Sequence, residues 1–167
     1  MSRIKISDRG LETVRGNGGI EHVDSNGKGF KYVVKSATWT AAGTAGDTST
    51  GIIIPAHAVV KTLSIKPTVL AVNGGTLSGQ TITDIKFGST NIDLGSAINL
   101  FTALGNVYTY EIPSATAGQA QTALEPALTD SSPVAIQFTE TNTGGYDSAT
   151  DTLGAVSIVV EYVVPSH

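Results

Sequence analysis

The chain has 167 residues, of which 14% are charged, with no cysteine and a formal net charge of −4. That length supports one domain with a real core, and the lack of thiols excludes a disulfide framework, a thiolate zinc site and a cysteine nucleophile. Hydrophobic residues at 40% argue against wholesale disorder, and the wealth of Gly, Thr, Ser, Ala and Val favours strands over helices.

The N-terminal segment opens the chain with a distinct charge. Residues 1–35 hold Arg3, Lys5, Arg9, Arg15, Lys28, Lys31 and Lys35 against four acids, a net of +3. Residues 36–167 hold three lysines against ten acids, a net of −7. Segments of opposite sign usually face different surroundings. Met1 to Arg15 is charged throughout and lacks the apolar centre of a secretory signal. No run approaches the ~18 apolar residues of a membrane-spanning helix. Up to Gly29, Ile4, Ile6, Leu11, Val14, Ile20 and Val23 are scattered without a sustained period. Residues 1–29 therefore read as an extended arm that orders on a partner, ahead of a domain over 30–167.

From Phe30 onward the pattern becomes that of strands. Phe30, Tyr32 and Val34 alternate with Lys31, Val33 and Lys35, running toward Trp39. A Gly/Thr/Ser loop is expected over 41–51, then a short apolar run Ile52–Ile54 stopped by the turn Pro55-Ala56-His57-Ala58. Val59–Val69 alternates, with Pro67 marking a bend or an edge. Asn73-Gly74-Gly75, like Asn17-Gly18-Gly19, reads as a turn, and Ile85 and Phe87 mark the next strand. Gly88–Leu94 reads as a tight loop and Ser96–Leu104 as a short helix ended by Gly105. Tyr108–Ile112, Val134–Thr139 and Val156–Val164 complete the strands, with 114–133 left unassigned. Seven or eight short strands, each with one apolar face, must bury those faces against one another. The expected fold is all-β, a β-sandwich of jelly-roll type with an extended N-terminal arm. A closed eight-stranded barrel has the same pattern.

The residues offer little chemistry. His22, His57 and His167 have no metal-ligand spacing, and no Gly-x-Ser-x-Gly elbow exists. Asp147 and Asp151 share one loop and could offer oxygens to calcium, but calcium takes more ligands than two. An acidic body is unsuited to neutralising phosphates, so nucleic acid is not an expected partner. No cofactor is expected, and no enzymatic activity.

Four segments together are similar to a known group. These are Ile52-Ile53-Ile54-Pro55-Ala56-His57-Ala58-Val59-Val60, Ile85-Lys86-Phe87-Gly88-Ser89-Thr90-Asn91-Ile92-Asp93, Ala103-Leu104-Gly105-Asn106-Val107-Tyr108, and Gly154-Ala155-Val156-Ser157-Ile158-Val159-Val160-Glu161-Tyr162. Across residues 51–164 the chain resembles the small β-sandwich structural proteins of tailed bacteriophages, of the capsid decoration, cement or head-fibre type. His57 stands where that group commonly has Gly, and Phe87 where it has Ile. The resemblance implies a virion protein made in the host cytoplasm. It implies a homotrimer on the outer surface of the head, with the major capsid protein as partner and no membrane. The arm then supplies the capsid contacts, with Arg3, Lys5, Arg9 and Arg15 as charges and Ile4, Ile6 and Leu11 as apolar anchors. The competing expectation is a carbohydrate-binding sandwich on a surface or tail adhesin, using Trp39, Tyr146 and Tyr108 as an aromatic platform.

Overall fold

The computed structural model describes residues 3–7, 10–15, 19–23, 29–111 and 132–166. These form eleven strands and no helix: β1 (Arg3–Ser7), β2 (Gly10–Arg15), β3 (Gly19–Val23), β4 (Gly29–Thr40), β5 (Gly46–Ile54), β6 (Val59–Val69), β7 (Gly79–Phe87), β8 (Thr90–Asn99), β9 (Tyr108–Glu111), β10 (Val134–Thr143) and β11 (Ala155–Ser166). Two antiparallel sheets result, one in the order β1-β2-β3-β4-β11-β6-β9 and the other β5-β10-β7-β8. They pack face to face as a β-sandwich, which rules out the closed barrel.

Within β4–β11 the pairing is nested. β4 pairs β11, β5 pairs β10, β6 pairs β9 and β7 pairs β8. The first half of this stretch is thus laddered to the second half, strand by strand, around one core. Trp39 on β4, Leu63 and Ile65 on β6, and Val156, Ile158 and Val160 on β11 meet Ile54 on β5, Ile82 and Phe87 on β7, and Phe138 on β10. All are buried, most of them completely. Trp39 and Phe138 pack edge to face across the two sheets, with centroids 5.2 Å apart and planes at 81°, the geometry that aromatic quadrupoles prefer.

Three local expectations give way to pairing. The loop expected at 41–51 is confined to 41–45, because Asp47 to Ser49 add to the edge of β10. A bulge then lets Thr50 turn inward and donate to the Ile136 carbonyl at 2.8 Å. The loop expected at 88–94 shortens to Gly88-Ser89, with Gly88 at φ 62. The helix expected at 96–104 is strand over 96–99 and turn beyond: Ile98 pairs with Ile82 and both are buried. The bonds from Ala103 N at 3.0 Å and Thr102 N at 3.3 Å to Asn99 O remain as a single turn. A partner strand with an apolar face outweighs a weak helix propensity. Pro67 lies beyond the reach of β9 and beside a register shift against β11, as a bend requires.

Candidate functional site

Three surfaces are distinct enough to carry function. The first is the strand ribbon β1–β3, within the segment expected as an arm. It continues the longer sheet past β4, where β3 pairs with residues 29–32 only. The opposing sheet has four strands against the seven of this one. Register sets Arg3 opposite Val14, Lys5 opposite Glu12, and Ile6 opposite Leu11. Because strand positions alternate between faces, Ile4, Ile6 and Leu11 share one face of the ribbon, with Val23 opposite Leu11. Arg3 and Lys5 share the other face, and Arg15 falls on the face of Leu11. Arg9 lies outside the described residues. A scatter that shows no period along the chain thus acquires faces once the strands are laid side by side.

The second is the outside of the sandwich, whose two faces differ in kind. On β5, β10 and β7, Asp47 pairs with Lys86 and accepts from Thr139 Oγ1 at 2.8 Å, while Asp84 accepts from Thr83 at 2.8 Å and Asn91 at 3.0 Å. Lys86 first, and Thr139 after it, hold the Asp47 carboxyl below the usual carboxylate value. This face satisfies itself. On β4, β11 and β6 the outward positions include Val34, Ser36, Glu161, Val159, Val59, Ser64 and Lys66, matched by register. Val34 is 50% and Val59 43% exposed. The charge at its centre, Glu161, accepts from the Tyr32 hydroxyl. That bond raises the Tyr32 pKa, because it holds the proton beside a carboxylate.

The third surface is the loop end of the sandwich, where two buried carboxylates bind backbone amides. Asp151 Oδ1 accepts from Gly74 N at 2.8 Å and Gly75 N at 2.7 Å. Its Oδ2 accepts from Asp147 N at 2.9 Å and Leu77 N at 3.3 Å. The Asp147 amide foremost, then those of Gly74, Gly75 and Leu77, lowers the Asp151 pKa against the opposing effect of burial. Asp151 is therefore a clasp between the β6–β7 and β10–β11 loops. Its oxygens are occupied by donors, so the calcium reading of Asp147 and Asp151 fails. Glu140 is likewise buried, accepting from Ala42 N at 2.6 Å, Gly43 N at 3.1 Å and Gln80 Nε2 at 2.9 Å. Gln80 Oε1 in turn accepts from Gly154 N at 2.8 Å. Sequence reasoning missed Glu140 and Gln80. The signal was present for Glu140, which falls in the inward phase of Val134, Ile136 and Phe138.

The remaining candidates are placed as follows. Trp39 is 3% exposed and belongs to the core, so it cannot serve as a sugar platform. Tyr108 is half-buried against the core, and Tyr146 lies over Gly43 at 36% exposure. His57 occupies the turn, with φ 60. His22 falls on β3, and His167 lies outside the described residues. Among the described residues no group of three His, Cys, Asp or Glu side chains is placed to hold a metal ion. No protein-family model matches the chain, and no curated protein matches it at a significant level.

Proposed function

We propose that the chain is a structural subunit of a tailed-phage virion, a decoration, cement or head-fibre protein that binds the assembled head from outside and stabilises it. The observation that carries this reading is the ribbon β1–β3. Its strands carry Arg3, Lys5 and Arg15 against Glu12 and Glu21, register sets Ile4, Ile6, Leu11 and Val23 at positions of one face, and it continues the longer sheet beyond β4. A sheet that extends beyond its sandwich leaves apolar positions that a partner can cover. On this reading the partner is the major capsid protein, contacted by Ile4, Ile6 and Leu11 with Arg3, Lys5, Arg9 and Arg15 around them. Exposed ion pairs contribute only about 0–1 kcal/mol each. The apolar positions, repeated across an oligomer, must supply most of the affinity. The nested pairing of β4–β11 supports a jelly-roll assignment, and the likeness of residues 51–164 to phage sandwich proteins supports the location.

The same reading makes the protein a homotrimer. The outer face of β4, β11 and β6 favours self-association, because its half-exposed valines and small hydroxyls carry little charge to repel a copy. The ion-paired outer face of β5, β10 and β7 suits solvent. The experiment is sedimentation with heads of the encoding phage that lack this protein. Full-length protein should co-sediment at a fixed ratio to the capsid subunit, and a variant lacking residues 1–28 should stay in the supernatant while keeping its β circular dichroism. Undiminished binding of the truncated protein would assign docking to the sandwich instead of the ribbon. Failure of the intact protein to bind would overturn the reading.

A further inference from the structure

We propose that Asp151 protects the Asn73-Gly74 pair from deamidation, making residue 73 a latent modification site that opens only when the clasp between the β6–β7 and β10–β11 loops is released. An Asn-Gly pair is chemically labile because glycine has no side chain to hinder ring closure. The Gly74 amide nitrogen loses its proton and bonds to Asn73 Cγ. The Cγ–N bond of the side-chain amide breaks, and ammonia leaves with that proton. Water then opens the succinimide at either carbonyl, giving aspartate or isoaspartate. Asn73 is exposed, so water can reach it and ammonia can escape. What opposes the reaction is the state of the Gly74 nitrogen.

Two features act on that nitrogen. Its N–H is donated to Asp151 Oδ1 at 2.8 Å, and the neighbouring Gly75 N–H is donated to the same oxygen at 2.7 Å. Asp151 is only 7% exposed, and a carboxylate in a poorly solvated position strongly disfavours a second negative charge on the amide beside it. Gly74 is also pressed against the opposite loop, since a Cβ built there would lie 1.9 Å from the Thr150 carbonyl oxygen. The nitrogen therefore has little room to swing toward Cγ. This contact also explains the weak point: only glycine permits the approach at 74, and glycine after Asn73 creates the labile pair. Conversion would place a new carboxylate near Asp151. The isoaspartyl form would lengthen the main chain by one carbon where the loop has no slack, so the clasp could not re-form.

The inference does not depend on the function proposed above. The test is peptide mapping by mass spectrometry after incubation of the full chain in mildly alkaline buffer, native and in urea. Asn17-Gly18 and Asn26-Gly27 are followed in the same maps to show that the buffer drives the reaction. Conversion at Asn73 should be at least about tenfold slower in the native protein than in urea, as expected for a site that reacts only from a locally opened state. Asp151→Asn, with unchanged circular dichroism, should raise the native rate severalfold. Equal rates at Asn73 in native protein and in urea would overturn the proposal, as would an unchanged rate in folded Asp151→Asn. If that variant does not fold, amide hydrogen exchange on the wild type decides: protection at Gly74 and Gly75 supports the clasp, and free exchange there overturns it.

Discussion

At the scale of single residues, the most consequential groups are buried acceptors that bind main-chain amides. Asp151 has a folded-state pKa below its ordinary value. Its stabilising effect is therefore complete above the unfolded value of about 3.9 and is lost as pH falls from there through the lowered folded value. Thermal melts should show wild type losing stability below about pH 4. Asp151→Asn should start lower at neutral pH and lose less across that window; parallel curves for the two would contradict the clasp. Glu140 makes a sharper case, because Ala42 N, Gly43 N and Gln80 Nε2 all need its oxygens. Glu140→Gln turns one acceptor into a donor facing donors, and should cost about 1–3 kcal/mol in urea unfolding. At His57 the left-handed backbone predicts that Val costs about 1 kcal/mol more than Asn, since a β-branched side chain suffers most there.

At the scale of elements, the open edges matter most. β4 is paired to β3 only through residue 32, and β5 is paired on one side by β10. Two edges of adjacent sheets therefore lie at one side of the sandwich. The protein blunts them with the bulge between Ser49 and Ile53, and with Lys35, whose ammonium donates to the Ile53 carbonyl at 3.0 Å. Charge and bulges are the usual defences of unpaired strands. Lys35→Val should leave the melting temperature within a few degrees yet bring forward aggregation on heating, read by light scattering. An unchanged aggregation onset would show that the edge needs no lysine. The same element-level logic explains β8: its inward positions Ile92 and Ile98 are reached by pairing with β7, not by winding a helix.

At the scale of the whole molecule, the nested ladder places β4 beside β11, the two longest strands of the sandwich, which are distant in sequence. Non-local pairing of this kind makes folding slow, on the order of milliseconds to seconds. It also makes the sandwich depend on its last strand. Removing residues 155–167 takes away Val156, Ile158, Val160 and Tyr162 from the core and leaves β4 and β6 without their shared neighbour. That truncation should yield no protease-resistant domain, whereas removal of residues 1–28 should leave one. A stable fragment ending at residue 154 would mean that β11 is dispensable.

The all-β class was legible from composition, and β4, β6, β10 and β11 from their alternating apolar positions, because period-2 burial is written locally in each strand. The turn at Pro55–Ala58 was an equally local inference. The extra length of β5, the strand character of 96–99 and the faces of the ribbon β1–β3 were not legible. Each depends on which residue lies opposite, and that partner is supplied by a strand remote in sequence. The Asp151 clasp belongs to the same class. Asp147 and Asp151 in one loop are compatible with a cation, and only the arrival of the Gly74 and Gly75 amides from the β6–β7 loop assigns those oxygens to hydrogen bonds. Sequence determined which positions seek burial and which seek water. Tertiary structure decided which polar groups meet, because hydrogen-bond partners are set by distances that no single stretch of chain contains.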